Sequence, residues 1–110
     1  YAGGGGNSGF YNSAGQSGGQ GGGANGAAAS SNAINATANT GGGGGGGGTT
    51  GGSQTSGLRY PSNGGSGVVI LAYDATKVSA TGGTITTRSH DSYKVHTFTT
   101  SGTLTVSDPT

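Results

Sequence analysis

Eight consecutive glycines, Gly41, Gly42, Gly43, Gly44, Gly45, Gly46, Gly47 and Gly48, constrain this chain more than any other feature. A run without Cβ atoms cannot anchor a hydrophobic core, and glycine loses more conformational freedom on ordering than any other residue. Such a run is either a flexible tether or a segment whose order comes wholly from backbone hydrogen bonds. The two outcomes imply opposite functions. The flanking sequence favours order. Glycine-dense blocks at Gly3–Gly6, Gly18–Gly26, Gly41–Gly52 and Gly64–Gly67 alternate with polar, alanine-rich or aromatic spacers, the pattern of rods joined by turns.

The geometry expected for each block is the left-handed threefold extended helix that glycine shares with polyproline II. That helix advances about 3.1 Å per residue, so eight glycines span roughly 25 Å. It has no internal hydrogen bonds, so every buried N–H and C=O must be answered by a neighbouring rod. Collagen does not fit, because no strict Gly-X-Y period is kept and the only prolines are Pro61 and Pro109. The expected packing is a stack of single rods. Apolar cover is expected from Ala27–Ala29, Ile34, Phe10, Tyr11, Leu58, Tyr60 and the Val68–Leu71 stretch, or from neighbouring copies.

Composition narrows the function classes. Of the 110 residues only 27% are hydrophobic and 6% charged, against about 45–50% and about 25% in globular domains. A conventional large core is excluded. Charge-driven disorder is excluded too, since the formal net charge is only +1. Arg59, Lys77, Arg88 and Lys94 are scattered and form no basic stripe, so no nucleic-acid partner is expected. There is no cysteine, hence no disulfide framework and no thiolate metal site. No apolar run approaches the roughly 20 residues of a membrane-spanning helix. A chain that begins at Tyr1 and lacks methionine is expected to be a processed product or a fragment.

The composition changes after Gly67: residues 1–67 hold 26 of the 29 glycines. Val68–Tyr73 is β-branched and aliphatic, and the remainder is rich in Thr, Ser, Val and Tyr, which suit a pleated sheet. Strands are predicted at Thr84–Thr87, at Tyr93–Thr99 after a Ser89–Ser92 turn, and at Thr103–Val106. A Thr100–Gly102 loop with a left-handed Gly102 would join the last two as a hairpin. Alternation puts Tyr93, Val95 and Thr97 on one face, and Lys94, His96 and Phe98 on the other. The expected fold is all-β or irregular with essentially no α-helix: stacked polyglycine II rods followed by a small antiparallel sheet. Its modules are a glycine-rich one with a closing strand over 1–73, a linker over 74–83 and a β-hairpin segment over 84–110.

Three strings carry a family resemblance: Gly64-Gly-Ser-Gly-Val-Val-Ile-Leu-Ala-Tyr73, Ala80-Thr-Gly-Gly-Thr-Ile-Thr-Thr87 and Val95-His-Thr-Phe-Thr-Thr-Ser-Gly-Thr-Leu-Thr-Val106. In these the chain resembles the glycine-rich domain of tailed-bacteriophage virion proteins. The resemblance implies a tail fibre, tail-tip adhesin or other surface structural protein. It also implies polyglycine II packing with rod-connecting loops that contact the host. The module-opening string here follows the module-closing one, which looks like a segment cut across two tandem modules or a terminal piece. Leu104 stands where the family more often has an aromatic residue.

Motifs for chemistry are weak. Gly41–Gly48 satisfies the dinucleotide pattern G-x-G-x-x-G only as any polyglycine does, with no predicted strand before it or helix after it. Ser89, His90 and Asp91 are catalytic residue types, but adjacent turn residues point apart, and turn chemistry explains them. His90, His96 and Asp91 match no metal-ligand spacing, and His96 reads as a partly buried strand histidine. Asn35-Ala-Thr37 fits a glycosylation sequon by composition. The threonines at 84, 86, 97, 99, 103 and 105 would form ladders, which β propensity explains. Phe10, Tyr11, Arg59 and Tyr60 sit in spacers, where they either contact a receptor protein or glycan or seal the rods.

The expectation is therefore a non-enzymatic virion component with no catalytic, cofactor or metal site, forming a rigid projection for assembly or host attachment. Its partners would be other copies of itself, other virion proteins or a host surface receptor, and its place the virion surface or tail. The alternative is an ice-binding or extracellular matrix protein built on the same rods.

Overall fold

The structure, a computed structural model, describes residues 1–11, 13–49 and 59–108. The chain divides into two units, Tyr1–Gly67 and Val68–Thr110. Among the described residues there is no helix, and strands occur only in the second unit.

Among the described residues, the first unit is built from six segments, residues 2–9, 13–19, 21–29, 31–37, 41–49 and 59–66, tied together by backbone hydrogen bonds that recur every third residue. Gly3, Gly6 and Gly9 of the first segment donate to the carbonyls of Gly21, Ala24 and Ala27 in the third, at 3.3, 2.9 and 2.8 Å. Ala24 and Ala27 in turn donate to Gly43 and Gly46 in the fifth, at 3.0 and 2.9 Å. Gly43 and Gly46 donate back to Gly3 and Gly6 at 2.8 and 3.0 Å, which closes the cycle. Residue numbers rise together in all three pairings, so these segments run parallel around a shared axis.

The second segment runs antiparallel against the first, with Gln16 and Gly19 donating to Asn7 and Gly4, and against the third through Gly26 to Gln16. The sixth runs antiparallel to the fifth: Arg59, Ser62 and Gly65 donate to Gly48, Gly45 and Gly42. Burial repeats at the same interval. Gly3, Gly6 and Gly9, Ala24 and Ala27, and Gly42, Gly45 and Gly48 are buried. Among the described residues, the buried apolar residues of this unit are alanines, Ala24, Ala27, Ala29 and Ala36.

Two expectations change here. The spacers were expected to turn, yet the glycine-free spacer 31–37 is itself a packed segment. Ala33 and Ala36 donate to Tyr60 and Asn63, while the side-chain oxygens of Asn32 and Asn35 accept the N–H groups of the same two residues. The alanine has the small side chain a close neighbour needs, and the asparagine supplies a second acceptor. The large apolar residues do not cover the segments either: Ile34 is 69% exposed, and Phe10, Tyr11 and Tyr60 are exposed as well. Backbone packed at this distance leaves room for methyl groups and not for rings. Leu58 lies outside the described residues.

In the second unit, β1 (Val69–Asp74), β4 (Tyr93–Phe98) and β3 (Thr84–Thr87) form an antiparallel sheet in the order β1-β4-β3, and β2 (Ser79–Thr81) pairs antiparallel with β5 (Thr105–Ser107). β1 finds its partner in β4, with Val69 opposite Phe98 and Asp74 opposite Tyr93. The division therefore falls at Gly67, earlier than the expected boundary at residue 73, and the expected linker 74–83 contains β2. Two of the predicted strands match β3 and β4 in position and pairing.

The third predicted strand does not return along β4 as a hairpin. β5 lies against β2, with Ala80 opposite Val106. The positive φ angles sit at Gly82 (119°) and Gly83 (63°), between β2 and β3, and not at Gly102. Gly102 makes room instead, since a Cβ there would lie 2.9 Å from the Phe98 ring.

Candidate functional site

Every glycine of the run Gly41–Gly48 has an identifiable reason to be glycine. Gly41 has φ of 69°, the left-handed region that suits a residue without a Cβ. A Cβ on any of the other seven would fall within 3.0 Å of a neighbouring segment. The directions rotate by thirds. Gly42, Gly45 and Gly48 face Gly22, Asn25 and Ala28 of the third segment; Gly43 and Gly46 face Gly5 and Ser8 of the first; Gly44 and Gly47 face Ser62 and Arg59 of the sixth. The fifth segment is thus enclosed on three sides by other backbones.

Six of the run's eight N–H groups are also engaged. Gly43 and Gly46 donate to the first segment, Gly48 to Ser31 and Gly41 to Ser66, while Gly42 and Gly45 donate to the hydroxyls of Thr40 and Ser62. A phosphate cradle needs such donors turned toward a ligand, and these six point into the packing.

Phe10, Tyr11, Arg59 and Tyr60 are brought to one end of the first unit, where the first, third and fifth segments finish and the sixth begins. The Phe10 and Tyr11 ring centroids are 6.0 Å apart at 42°. Phe10 bridges Thr49, and the neighbouring Gly48 carbonyl accepts from Arg59 N–H at 3.1 Å. Arg59 Nε–H donates to the Ser30 carbonyl at 3.1 Å, tying the sixth segment to the turn after the third. Phe10, Tyr11 and Tyr60 are 61%, 65% and 77% exposed, so they do not seal the segments. Tyr1 and residues 65–67 lie at the opposite end, where Ala2 donates to Thr40 and Gly41 to Ser66.

In the second unit His96, expected to be partly buried, is fully buried. Its Nδ1 is 2.7 Å from the Gly82 carbonyl, which only accepts, so Nδ1 carries a proton and donates. Nε2 lies 3.0 Å from Tyr73 Oη, which also takes the Ala80 N–H at 3.1 Å. Tyr73 and His96 thereby link the three-stranded sheet to β2 and to the Gly82–Gly83 turn. The signal for this was the pairing register: His96 falls directly opposite Leu71, two residues from Tyr73, and that requires knowing that β1 pairs with β4.

Ser89, His90 and Asp91 lie in the turn between β3 and β4. Asp91 Oδ1 accepts the Tyr93 N–H at 3.0 Å, and its Oδ2 pairs with Arg88 at 3.0 Å. Arg88 also lies 5.3 Å over the Tyr93 ring. His96 is held elsewhere, so His90, Asp91 and His96 do not converge; among the described residues no three potential metal ligands cluster. At the other turn, Asp74 accepts from Thr76 N–H, Thr76 Oγ1 and Ser92 Oγ. The Thr76 backbone N–H, and then the two hydroxyls, hold its carboxyl below the usual carboxylate range, with Lys77 adding to this and burial opposing it. Asn35 of the sequon spends its side-chain oxygen on Asn63 N–H.

No protein-family model, curated protein or solved structure matches this chain. No helix among the described residues is long and apolar enough to cross a membrane.

Proposed function

We propose that the six described segments of the first unit pack as polyglycine II rods, and that the chain is a non-enzymatic structural component of a phage virion, a tail-fibre or surface-adhesin segment. One observation carries this reading. The fifth segment is enclosed by three others with a three-residue repeat in hydrogen bonding, burial and Cβ exclusion. A threefold helix presents its residues in three directions and leaves its backbone groups for neighbours. Among the described residues of these segments, the glycines other than Gly21, Gly22 and Gly41 do not have positive φ, in line with that helix.

Such a stack is rigid without a hydrophobic core, and its turns carry the exposed side chains. That division suits a projection whose shaft is backbone and whose end meets a partner. The module-closing and module-opening strings point to tailed phages, and further copies of the chain or other virion proteins are the expected neighbours. The ice-binding alternative has less support: of the expected threonine ladder, Thr84 does face Thr97, but Thr86 faces Val95, and Thr105 faces Thr81 on a separate sheet.

Gold-labelled antibody against the chain, viewed by electron microscopy on purified particles, tests the proposal. Label on the tail or surface fibres is the expected result. Particles without label, or clear inhibition of ice growth by the purified protein, would contradict it.

A further inference from the structure

Two features set the aromatic end of the first unit apart from the rest of it. Tyr11 has φ of 59°, a left-handed backbone conformation unusual for a bulky residue. It stands in the turn closed by the Ser13 N–H donated to the Phe10 carbonyl at 3.1 Å, and its ring is exposed at the end of the stack. Arg59 is the second feature. It is the only Lys or Arg in residues 1–67, and those residues include no Asp or Glu. No carboxylate of its own unit can pair with it, while its Nε–H bond to Ser30 anchors the guanidinium beside the turn.

We propose that this end binds a saccharide chain bearing carboxylate groups, with the Phe10, Tyr11 and Tyr60 rings stacking on sugar faces and Arg59 pairing with one carboxylate. The inference rests on the attachment reading above and names the partner's chemistry. Aromatic rings offer a large apolar face at low entropy cost, with polar groups at hand for hydroxyls. Polar groups reach the same end at Ser30, whose carbonyl accepts from Arg59, and at Asn32, whose Oδ1 accepts the Tyr60 N–H. A guanidinium fork matches a carboxylate through two parallel hydrogen bonds. A single cation suits one negative charge per sugar, whereas a polyphosphate chain calls for several cations. The absence of acids in this unit leaves nothing there to repel such a ligand.

The test is titration of the full chain with tetragalacturonate, followed by NMR, with the methyl-esterified tetrasaccharide as the neutral control. Shifts should appear at Phe10, Tyr11, Arg59 and Tyr60. The neutral sugar and the Arg59→Gln variant should each bind about tenfold more weakly or worse, as expected for a lost charged hydrogen bond. Arg59→Lys should recover part of the loss, because it keeps the charge and not the fork. Tyr11→Gly separates ligand binding from folding: the thermal midpoint should hold or rise as strain is relieved, while affinity falls.

Equal binding of the charged and neutral sugars, or binding of neither, overturns the inference. If the protein then still adsorbs to the bacteria its particles infect, and protease treatment of those cells removes adsorption, the partner is a protein and the attachment reading stands. No adsorption to the cells at all overturns both.

Discussion

The two units solve the same problem, satisfying the backbone, with opposite materials. In residues 1–67 the backbone is both the structure and the packing surface. Neighbouring segments approach so closely that a single Cβ on Gly44 or Gly45 would meet the Ser62 or Asn25 carbonyl. In residues 68–108 conventional strands pair, and side chains join the two sheets through Tyr73, His96 and the Phe98 ring beside Gly83 and Gly102. The first unit should therefore be sensitive to what is added, and the second to what is removed.

That contrast can be broken most forcefully by filling the fifth segment. Gly44→Val with Gly45→Val inserts two branched side chains where carbonyls already stand, and overpacking costs at least about 1–3 kcal/mol even where side chains can shift. Backbone cannot shift so readily, so the double variant should lose the cooperative unfolding transition of the first unit, followed by circular dichroism and NMR. Unchanged thermal stability would mean the run is a tether. In the second unit, His96→Ala should cost about 1–3 kcal/mol by leaving buried partners of the ring without their hydrogen bonds. Amide resonances of the second unit should move, those of Tyr73, Ala80 and Gly82 foremost.

A smaller effect comes from Asp74. Its carboxyl titrates below the ordinary value of 3.8 in the folded chain. A depressed folded value contributes stability that is present above the unfolded value and is lost as pH falls through the folded one. Denaturant midpoints should hold from neutral pH down to about that ordinary value and decline below it, and Asp74→Asn should flatten the decline. The smallest effect is expected at Gly4, where an added Cβ meets nothing within 4 Å and φ is not positive. Gly4→Ala should change the melting free energy by less than about 1 kcal/mol, with the sign set by reduced freedom of the unfolded chain. Gly4 and Gly5 are neighbours in one run, so alanine at each in turn sharpens the comparison: Gly5 faces the Gly44 carbonyl and should not tolerate it.

Much of this architecture is legible in the chain itself. Eight glycines flanked by similar blocks indicate backbone packing, and alternation with β-branched residues marks β3 and β4. The number of segments is harder to read, because 31–37 lacks glycine and its triplets, Asn32-Ala33-Ile34 and Asn35-Ala36-Thr37, are too short to stand out. Their meaning lies in a long-range pairing with Tyr60 and Asn63. The fate of β5 is hidden for a related reason. A Ser-Gly pair between two strand-like stretches looks like a hairpin, whereas Gly102 is selected by the Phe98 ring. At the aromatic end, Phe10, Tyr11, Arg59 and Tyr60 can be named from their types, but Arg59 lies 48 positions after Tyr11. Only the segment order brings them together.

The first unit's order depends on whether the neighbouring backbones hold Gly41–Gly48 in place. Amide hydrogen exchange at single-residue resolution tests this most directly. Gly43, Gly45, Gly46 and Gly48 donate across to other segments at 2.7–3.3 Å, so they should exchange slowly and lose protection together with Ala24 and Ala27. Exchange of those four glycines at the rate of an unstructured peptide, with Ala24 and Ala27 protected or not, would contradict it.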